Sequence, residues 1–356
     1  MNFRVVVKKI LTLLFSPIGW KGYVACLSYS FLTILFLCGL VIYFANPFRN
    51  IPFAPWVESP MMDINQRYQY PSLARNKKYD SAVFGTSTGR LISPKILNKF
   101  YGGKWTQLAM NSATAFEQHM LAKLFLRHHP YARSIIFTID TTWCDVGSDY
   151  AKFTFRKFPT WMYDEDRWND LLRLMDGKTF EISVRAFAML LGKDKARFDK
   201  NGFNDFTPDN SSFDLDKVIE KIYGGGGKRE PKSQDDLQSM HELEALKFPT
   251  HKLFEKLMAN VNDKTKVIIV FVPYHYFHQG AKKSRNYQRF KECKKRFSQM
   301  AKKRENTEVL DFMIHSPITK NDENYWDPLH FKKEVAKTMV KEMSDRKTTK
   351  NMHVLF

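Results

Sequence analysis

Two short stretches far apart in the chain carry residue types that could perform nucleophilic chemistry. In the first, residues 85–89 read Gly-Thr-Ser-Thr-Gly, with Ser87 at the centre and the apolar run 82–84 just before it. An apolar run that enters a turn of small residues predicts a buried strand turning sharply into a helix. A serine at that turn would stand beside backbone N–H groups that can stabilise an oxyanion. The same residues are also typical of a plain turn with a helix cap.

The second stretch, residues 324–331, reads Asn-Tyr-Trp-Asp-Pro-Leu-His-Phe and precedes a helical segment that reaches about residue 344. Asp327 and His330 are three residues apart, so a short loop can direct both side chains toward one point. The carboxylate would then orient the imidazole while the imidazole takes the proton of Ser87. A lone Asp-x-x-His is a weak signal, and its conjunction with the serine turn is the stronger one.

The elements that must position these residues alternate between strand and helix from residue 78 onward. This alternation predicts an α/β domain with a mainly parallel sheet. Thr114 and Glu117 form a capping box for a helix that reaches about residue 127, and a basic helix is predicted over 285–303. The predicted strands are 81–84, 105–109, 134–139, 266–272 and 308–312.

The middle of the chain, residues 145–261, interrupts that alternation and is predicted to be a helical insertion. It contains helical pieces near 168–175 and 214–223, followed by four consecutive glycines at 224–227, which predict a flexible surface loop. Insertions at this place in a domain serve as lids or substrate platforms, or as an inert packing layer. Both interpretations stay open from the sequence.

The first 45 residues contain no acidic residue, and residues 23–45 are uncharged and largely apolar. That length suffices for one transmembrane helix, with a cleaved signal peptide as the competing interpretation. The basic residues lie in 1–22, so the positive-inside rule predicts a cytoplasmic N-terminus and an outward-facing remainder, periplasmic or extracellular in a bacterium. Residues 46–77 are interpreted as a stalk, 78–344 as the folded domain and 345–356 as a tail.

The chain has 56 Lys and Arg against 37 Asp and Glu, a net charge of +19. This excess favours anionic partners, and the absence of any zinc-finger, RNA-recognition or basic-zipper pattern argues against nucleic acid. Cys26 and Cys38 lie in the apolar segment. Cys144 and Cys293 are therefore the pair that could bridge in an oxidising compartment, and the sequence leaves open whether they do.

The two stretches together resemble the SGNH (GDSL-type) hydrolase superfamily. Residues 85–87 occupy the place of the family's first block, and residues 327–330 the place of its last. The resemblance implies a flavodoxin-like three-layer α/β/α domain with a mainly parallel five-stranded sheet, and no cofactor or metal. More narrowly, the layout is similar to that of membrane-anchored, outward-facing members associated with envelope polysaccharide, such as the teichoic-acid D-alanylation proteins.

The sequence also departs from the family pattern. Thr86 stands where Asp is usual, and residues 108–113 offer Asn111 or Ser112 in place of a glycine whose N–H contributes to the oxyanion hole. Residues 139–142 read Ile-Asp-Thr-Thr where the family has Gly-x-Asn. No Asn side chain is present there to complete the oxyanion hole, and the N–H of Ser87 is the clearest remaining donor to the oxyanion. Asp140 would bind substrate or cap the next turn.

Two further residues are candidate substrate contacts. Arg90, three residues after the serine, is a candidate for binding an anionic group. Alternatively, it is only a solvated charge on the following helix. His275 follows the fourth predicted strand and would reach the same edge of the sheet. His275 and His278 could in principle bind a metal, but no third ligand lies nearby, so no metal site is predicted.

The resemblance implies a serine esterase or O-acyltransferase that acts on envelope polysaccharide. A non-catalytic protein of the same fold, binding glycan or a multi-spanning membrane acyltransferase, is the alternative. By motif alone the nucleophile elbow of the α/β-hydrolases also fits residues 85–89. In that fold several strands precede the serine, and the acid and histidine come from separate loops, so the SGNH pattern fits better.

Overall fold

The computed structural model describes residues 19–54, 60–234 and 237–356. Its centre is one six-stranded sheet with the order β2-β1-β3-β4-β5-β6. The first five strands are parallel, and β6 pairs antiparallel with β5 at the edge. The strands are β1 Ser81–Phe84, β2 Trp105–Gln107, β3 Ser134–Ile139, β4 Lys266–Phe271, β5 Thr307–Asp311 and β6 His353–Val354.

The predicted α/β class and mainly parallel sheet are confirmed. The predicted count of five strands is one too few, because β6 lies in the segment that the sequence assigned to a tail. Leu310 pairs with Val354 there, and Asp311 with His353. A strand of two residues is too short to show an alternating pattern, so only the register against β5 reveals it.

Helices follow most of the strands. The helices are α1 Trp20–Ala45, α2 Gln66–Arg75, α3 Pro94–Tyr101, α4 Ala115–His128, α5 Asp170–Arg173, α6 Gly177–Leu190, α7 Leu215–Tyr223, α8 Met240–Ala245, α9 His251–Met258, α10 Tyr276–Gln279, α11 Arg285–Ala301 and α12 Lys333–Asp345. The chain moves one way from β1 to β2 and the opposite way from β2 to β3. Since crossovers are right-handed, α3 and α4 cover opposite faces of the sheet. On those faces α3 packs against α12, and α4 packs against α9.

The segment interpreted as a stalk is instead packed into the domain where the structure describes it. Tyr70 and Leu73 of α2 are fully buried, and α2 packs along α4. Arg67 is buried as well, paired with Glu117 of α4. Pro71 inside the helix and the many polar residues hid this element from the sequence, since a proline normally ends a helix.

Helix α1 has 26 residues, and its most apolar 18-residue stretch has a mean hydropathy of 2.3 and is only 6% buried. It is long and apolar enough to cross a membrane, as a signal sequence would also be. Its last turn is covered by the domain, where Ile42 and Ala45 are buried. The predicted cytoplasmic segment 1–22 lies mostly outside the described residues.

Cys144 and Cys293, whose bridging the sequence left open, form a disulfide that joins the segment after β3 to α11. Short helices from α5 to α9 fill the stretch predicted as an insertion, 145–261. The glycines at 224–227 form an exposed turn in which all four have positive φ. Such backbone favours glycine, which explains the run.

Candidate active site

The turn that carries Ser87 leaves the carboxyl end of β1 next to β3. Gly85 has φ +153°, and a β-carbon on either Gly85 or Gly89 would overlap the Oγ1 of Thr138 on β3. Both glycines are therefore required by the close approach of β3. The strand order reverses around β1, and such a switch point at the carboxyl edge is where open α/β sheets bind ligands.

The segment after Ser87 differs in detail from the predicted helix. A single 3-10 turn, Gly89–Leu91, comes first, and α3 begins only at Pro94. Proline disfavours helical backbone in the residue before it, which delays the helix. Within the described part of the chain, the N–H of Ser87 donates no backbone or side-chain hydrogen bond. That N–H is therefore free to serve an oxyanion.

The structure brings Ser87, His330 and Asp327 into one hydrogen-bonded chain. Ser87 Oγ lies 2.7 Å from His330 Nε2, and His330 Nδ1 lies 2.8 Å from Asp327 Oδ2. A carboxylate only accepts, so Nδ1 carries the proton, and in the neutral ring Nε2 is the acceptor for the serine hydroxyl. This is the arrangement in which a histidine deprotonates a serine.

The loop that presents Asp327 and His330 explains their spacing of three. Asp327 Oδ1 accepts the backbone N–H groups of Leu329 and His330 at 2.9 and 3.0 Å, which leaves Oδ2 for the imidazole. Tyr325 and Phe331 close the base of the loop as a β-bridge. The carboxylate therefore holds the turn and the ring at once.

The electrostatics of the loop keep Asp327 ionised. Burial would raise the pKa of its carboxyl, but the hydrogen bond and charge of His330, with the two backbone N–H groups, outweigh burial and lower the pKa. The side chains of His330 and Asp327 are 23% and 34% exposed, and Ser87 is half-buried. The reactive groups can therefore be reached from solvent.

Asn111 lies in the loop after β2, which is joined to the serine turn by a 3.0 Å bond from Met110 N–H to Gly85 O. Asn111 Oδ1 accepts from the buried Arg90 at 2.5 Å. Because the side-chain oxygen is occupied by Arg90, the amide NH₂ of Asn111 is the group left to donate. In the described residues that NH₂ has no recorded acceptor.

Arg90 was predicted to contact an anion or to be a solvated helix charge. In the structure its guanidinium binds other side chains of the domain instead. Its guanidinium is buried, donates to Asn111 and to Asn204 Oδ1, and lies 4.3 Å from the ring centroid of Phe206. Arg90 is therefore a positioning residue for Asn111.

Ser112, the other predicted oxyanion candidate, is exposed and has φ +50°.

Asp140 is buried and caps the 3-10 turn Thr141–Trp143, one of the two alternatives left by the sequence. One carboxylate oxygen accepts the Thr86 hydroxyl, and the other accepts the N–H and hydroxyl of Thr142 at 3.0 and 2.7 Å. Burial raises the pKa of Asp140. Thr86 thus ties the serine turn to the end of β3.

The side chain of His275 is closed off from solvent. It is fully buried, its Nε2 lies 2.9 Å from Asp322 Oδ1, and burial lowers its pKa to about 4. Its backbone N–H donates to Pro328 O at 2.9 Å, inside the loop that carries Asp327 and His330. His275 therefore supports that loop from the protein interior, which corrects its predicted role as a substrate contact.

Two phenylalanines of the insertion border the site and were missed from the sequence. Phe206 meets the His330 ring edge-on at 5.8 Å, and Phe213 meets Trp326 edge-on at 5.5 Å. Both lie in irregular segments without periodicity, so no sequence signal marked them. Their contacts place this part of the insertion beside the loop that carries His330.

No known protein-family model matches this chain, and no curated protein matches it. The chain is similar to the solved structure of a Streptococcus pneumonia protein described as a platelet activating factor. The two are 10% identical with a TM-score of 0.34, over 79% of this chain and 90% of that chain. A likeness of that size carries no argument, so the chemistry must be judged from the geometry of the site.

Proposed function

We propose that this chain is a membrane-anchored serine esterase or O-acyltransferase of the SGNH type, acting on cell-envelope polysaccharide through an acyl-Ser87 intermediate. The observation that carries the proposal is the continuous chain from Ser87 through His330 to Asp327, with hydrogen bonds of 2.7 and 2.8 Å. A protein that only binds glycan has no need of this alignment at a half-exposed serine. The enzyme is therefore favoured over the non-catalytic partner.

In the proposed reaction Ser87 Oγ attacks the acyl carbonyl while His330 Nε2 takes its proton. The N–H of Ser87 and the NH₂ of Asn111 stabilise the oxyanion, and Asp327 stabilises the imidazolium. His330 then protonates the departing alcohol, leaving the acyl group on Ser87. A second hydroxyl, from water or a sugar, loses its proton to His330 and takes the acyl group, which restores the serine.

The proposed location is the outer side of a bacterial inner membrane, with α1 as a single-pass anchor. The Cys144–Cys293 disulfide supports an oxidising compartment for the domain. The net charge of +19 suits an anionic envelope polymer. The anchor and the charge together support a substrate near the membrane.

The test uses the full chain in nanodiscs with a short-chain nitrophenyl ester and a fluorophosphonate probe. We expect labelling at Ser87, and a loss of esterase activity of about four to six orders of magnitude in Ser87→Ala. Ser93→Ala, the same change at a serine whose side chain makes no cap hydrogen bond, should retain activity. Equal hydrolysis by Ser87→Ala and the parent would remove the proposal. Transfer is distinguished from hydrolysis by acyl product on an added oligosaccharide.

A further inference from the structure

Helix α6 carries a second apolar face that the folded domain covers only in part. Thr179, Ile182 and Ala186 form its buried face. Beside them runs a second stripe with helical spacing, Phe180, Val184, Phe187 and Leu191, continuing one residue past the helix end. Phe180 and Phe187 are half-buried, with Phe180 packed on the core, and the other two are exposed. Val184 is 46% exposed and Leu191 is 73% exposed. Soluble proteins rarely leave such a stripe facing water.

This helix packs directly against the apolar helix α1. Between them lies a cavity of about 510 Å³ whose lining is almost entirely apolar, with Leu37 and Val41 on one side and Phe187 and Leu190 on the other. Just before α6, the methyl group of Met175 packs onto Gly39. The second stripe is therefore continuous with the surface of α1.

The length of α1 sets the level of this contact relative to a bilayer. Protein cover of α1 begins at Cys38 and continues to its end at Ala45. The uncovered residues 20–37 rise roughly 27 Å at 1.5 Å per residue, close to a hydrocarbon core of about 30 Å, with Lys21 at the far end. The membrane boundary and α6 therefore fall at one level.

Neighbouring residues have the chemistry of a membrane interface. Leu172 on α5 is 85% exposed and Trp168 is 60% exposed, an aromatic residue of the type enriched at lipid headgroups. Arg173, Lys193 and Lys195 are exposed at the two ends of the α5–α6 region. Their positive charges suit the phosphates of anionic lipids.

We propose that α6, with the turn that precedes it, is an interfacial membrane-docking helix whose Phe180–Leu191 stripe lies in the lipid leaflet on the domain's side. This gives the domain a second membrane contact beside α1 and fixes its tilt on the bilayer. The proposal rests on the membrane span contained in the proposed function. It requires nothing of the serine chemistry.

The experiment measures the depth of single fluorophores in the full chain, reconstituted in nanodiscs with anionic lipid. In a Cys26→Ser/Cys38→Ser background, an environment-sensitive dye is attached to Leu191→Cys or Val184→Cys. Doxyl spin labels at shallow or deep acyl positions then quench it. We expect both sites to be quenched several-fold more strongly by shallow than by deep doxyl. Met240→Cys, 68% exposed on α8, which packs on α11, is the control and should show little quenching.

The span itself is reported separately by labelling native Cys26 in a Cys38→Ser chain. Quenching at Cys26 without quenching at either α6 site would overturn the docking helix and leave the anchor in place. A blue-shifted but unquenched dye on α6 would assign the stripe to a protein partner and also overturn the proposal. No quenching at Cys26 would remove the span and the docking helix together, while the esterase test on Ser87 would stand unaffected.

Discussion

At the scale of single residues, the polar side chains of the site already use most of their oxygens in hydrogen bonds to neighbouring residues. Asp327 uses one oxygen to hold its own loop and the other to hold His330. Asn111 uses its oxygen on Arg90, and Asp140 uses both oxygens on threonines. In the proposed acyl transfer, such preorganisation would let the free donors meet the developing charge without reorganising.

The role of Asn111 is tested by Asn111→Asp, which keeps an oxygen for Arg90 but removes the NH₂. Loss of one oxyanion donor should lower kcat by about 10²- to 10³-fold with little change in KM. Asn204→Asp, the same change at the other amide bonded to Arg90, is the matched control and should retain most activity. If the two variants behave alike in ester hydrolysis, Asn111 is no donor.

At the scale of elements, the site is held by a segment that the sequence assigned to a stalk. Arg67 of α2 donates from Nε to Glu117 Oε1 of α4 at 2.9 Å, with both side chains fully buried. A second bond to Glu117 runs from Arg67 Nη2 to Oε2 at 2.5 Å, and a third, of 3.1 Å, runs from Nη1 to the backbone oxygen of Asn111. Helix α2 therefore fixes both α4 and the loop of the proposed oxyanion donor.

We expect Arg67→Met to destabilise the chain by about 3–5 kcal/mol, since it leaves the Glu117 carboxylate buried without its partner. Adding Glu117→Gln should recover much of this loss, because Gln keeps the capping box without a charge. Arg127→Met, which breaks the partly exposed pair with Glu165, should cost under about 1 kcal/mol. Denaturant unfolding measures all three. A cost for Arg67→Met as small as that for Arg127→Met would contradict the packing described.

At the scale of the whole molecule, stability depends on long-range links and on neutral histidines in the interior. The disulfide closes a loop across 149 positions and encloses the whole stretch predicted as an insertion, 145–261. His251 and His275 are buried, and burial lowers the pKa of each to about 4. The fold is therefore sensitive to reduction of the disulfide and to acid.

Replacing both bridged cysteines by alanine should destabilise the chain by about 2–5 kcal/mol, since the unfolded chain regains the freedom of a very long loop. The melting temperature in detergent measures the loss. Cys26→Ser/Cys38→Ser, which alters the two free thiols, is the control and should melt like the parent. Unchanged melting of the alanine double variant would mean that the bridge adds no stability.

The pH dependence follows from His275, whose pKa is about 4 in the fold against an ordinary value of 6.5. Below about pH 6.5 the unfolded chain binds a proton that the folded chain does not bind until about pH 4. Stability is therefore lost progressively as the pH falls between those values. We expect His275→Gln to lose less melting temperature than the parent between pH 7.5 and 5. The control is His353→Gln at an exposed histidine, which should lose as much melting temperature as the parent. An equal loss in His275→Gln and the parent would contradict the role of His275.

The sequence by itself determined the α/β class, the parallel strands 81–84 and 134–139, the capped helix after Thr114 and the apolar helix ahead of the domain. These features depend on local periodicity and on residues adjacent in the chain, as does the Asp-x-x-His turn. Only the tertiary structure decided that Ser87 meets His330, that Cys144 meets Cys293, that α2 is part of the core and that Phe206 borders the site. Those outcomes depend on contacts between residues some 50 to 250 positions apart, and short-range patterns carry no record of such contacts.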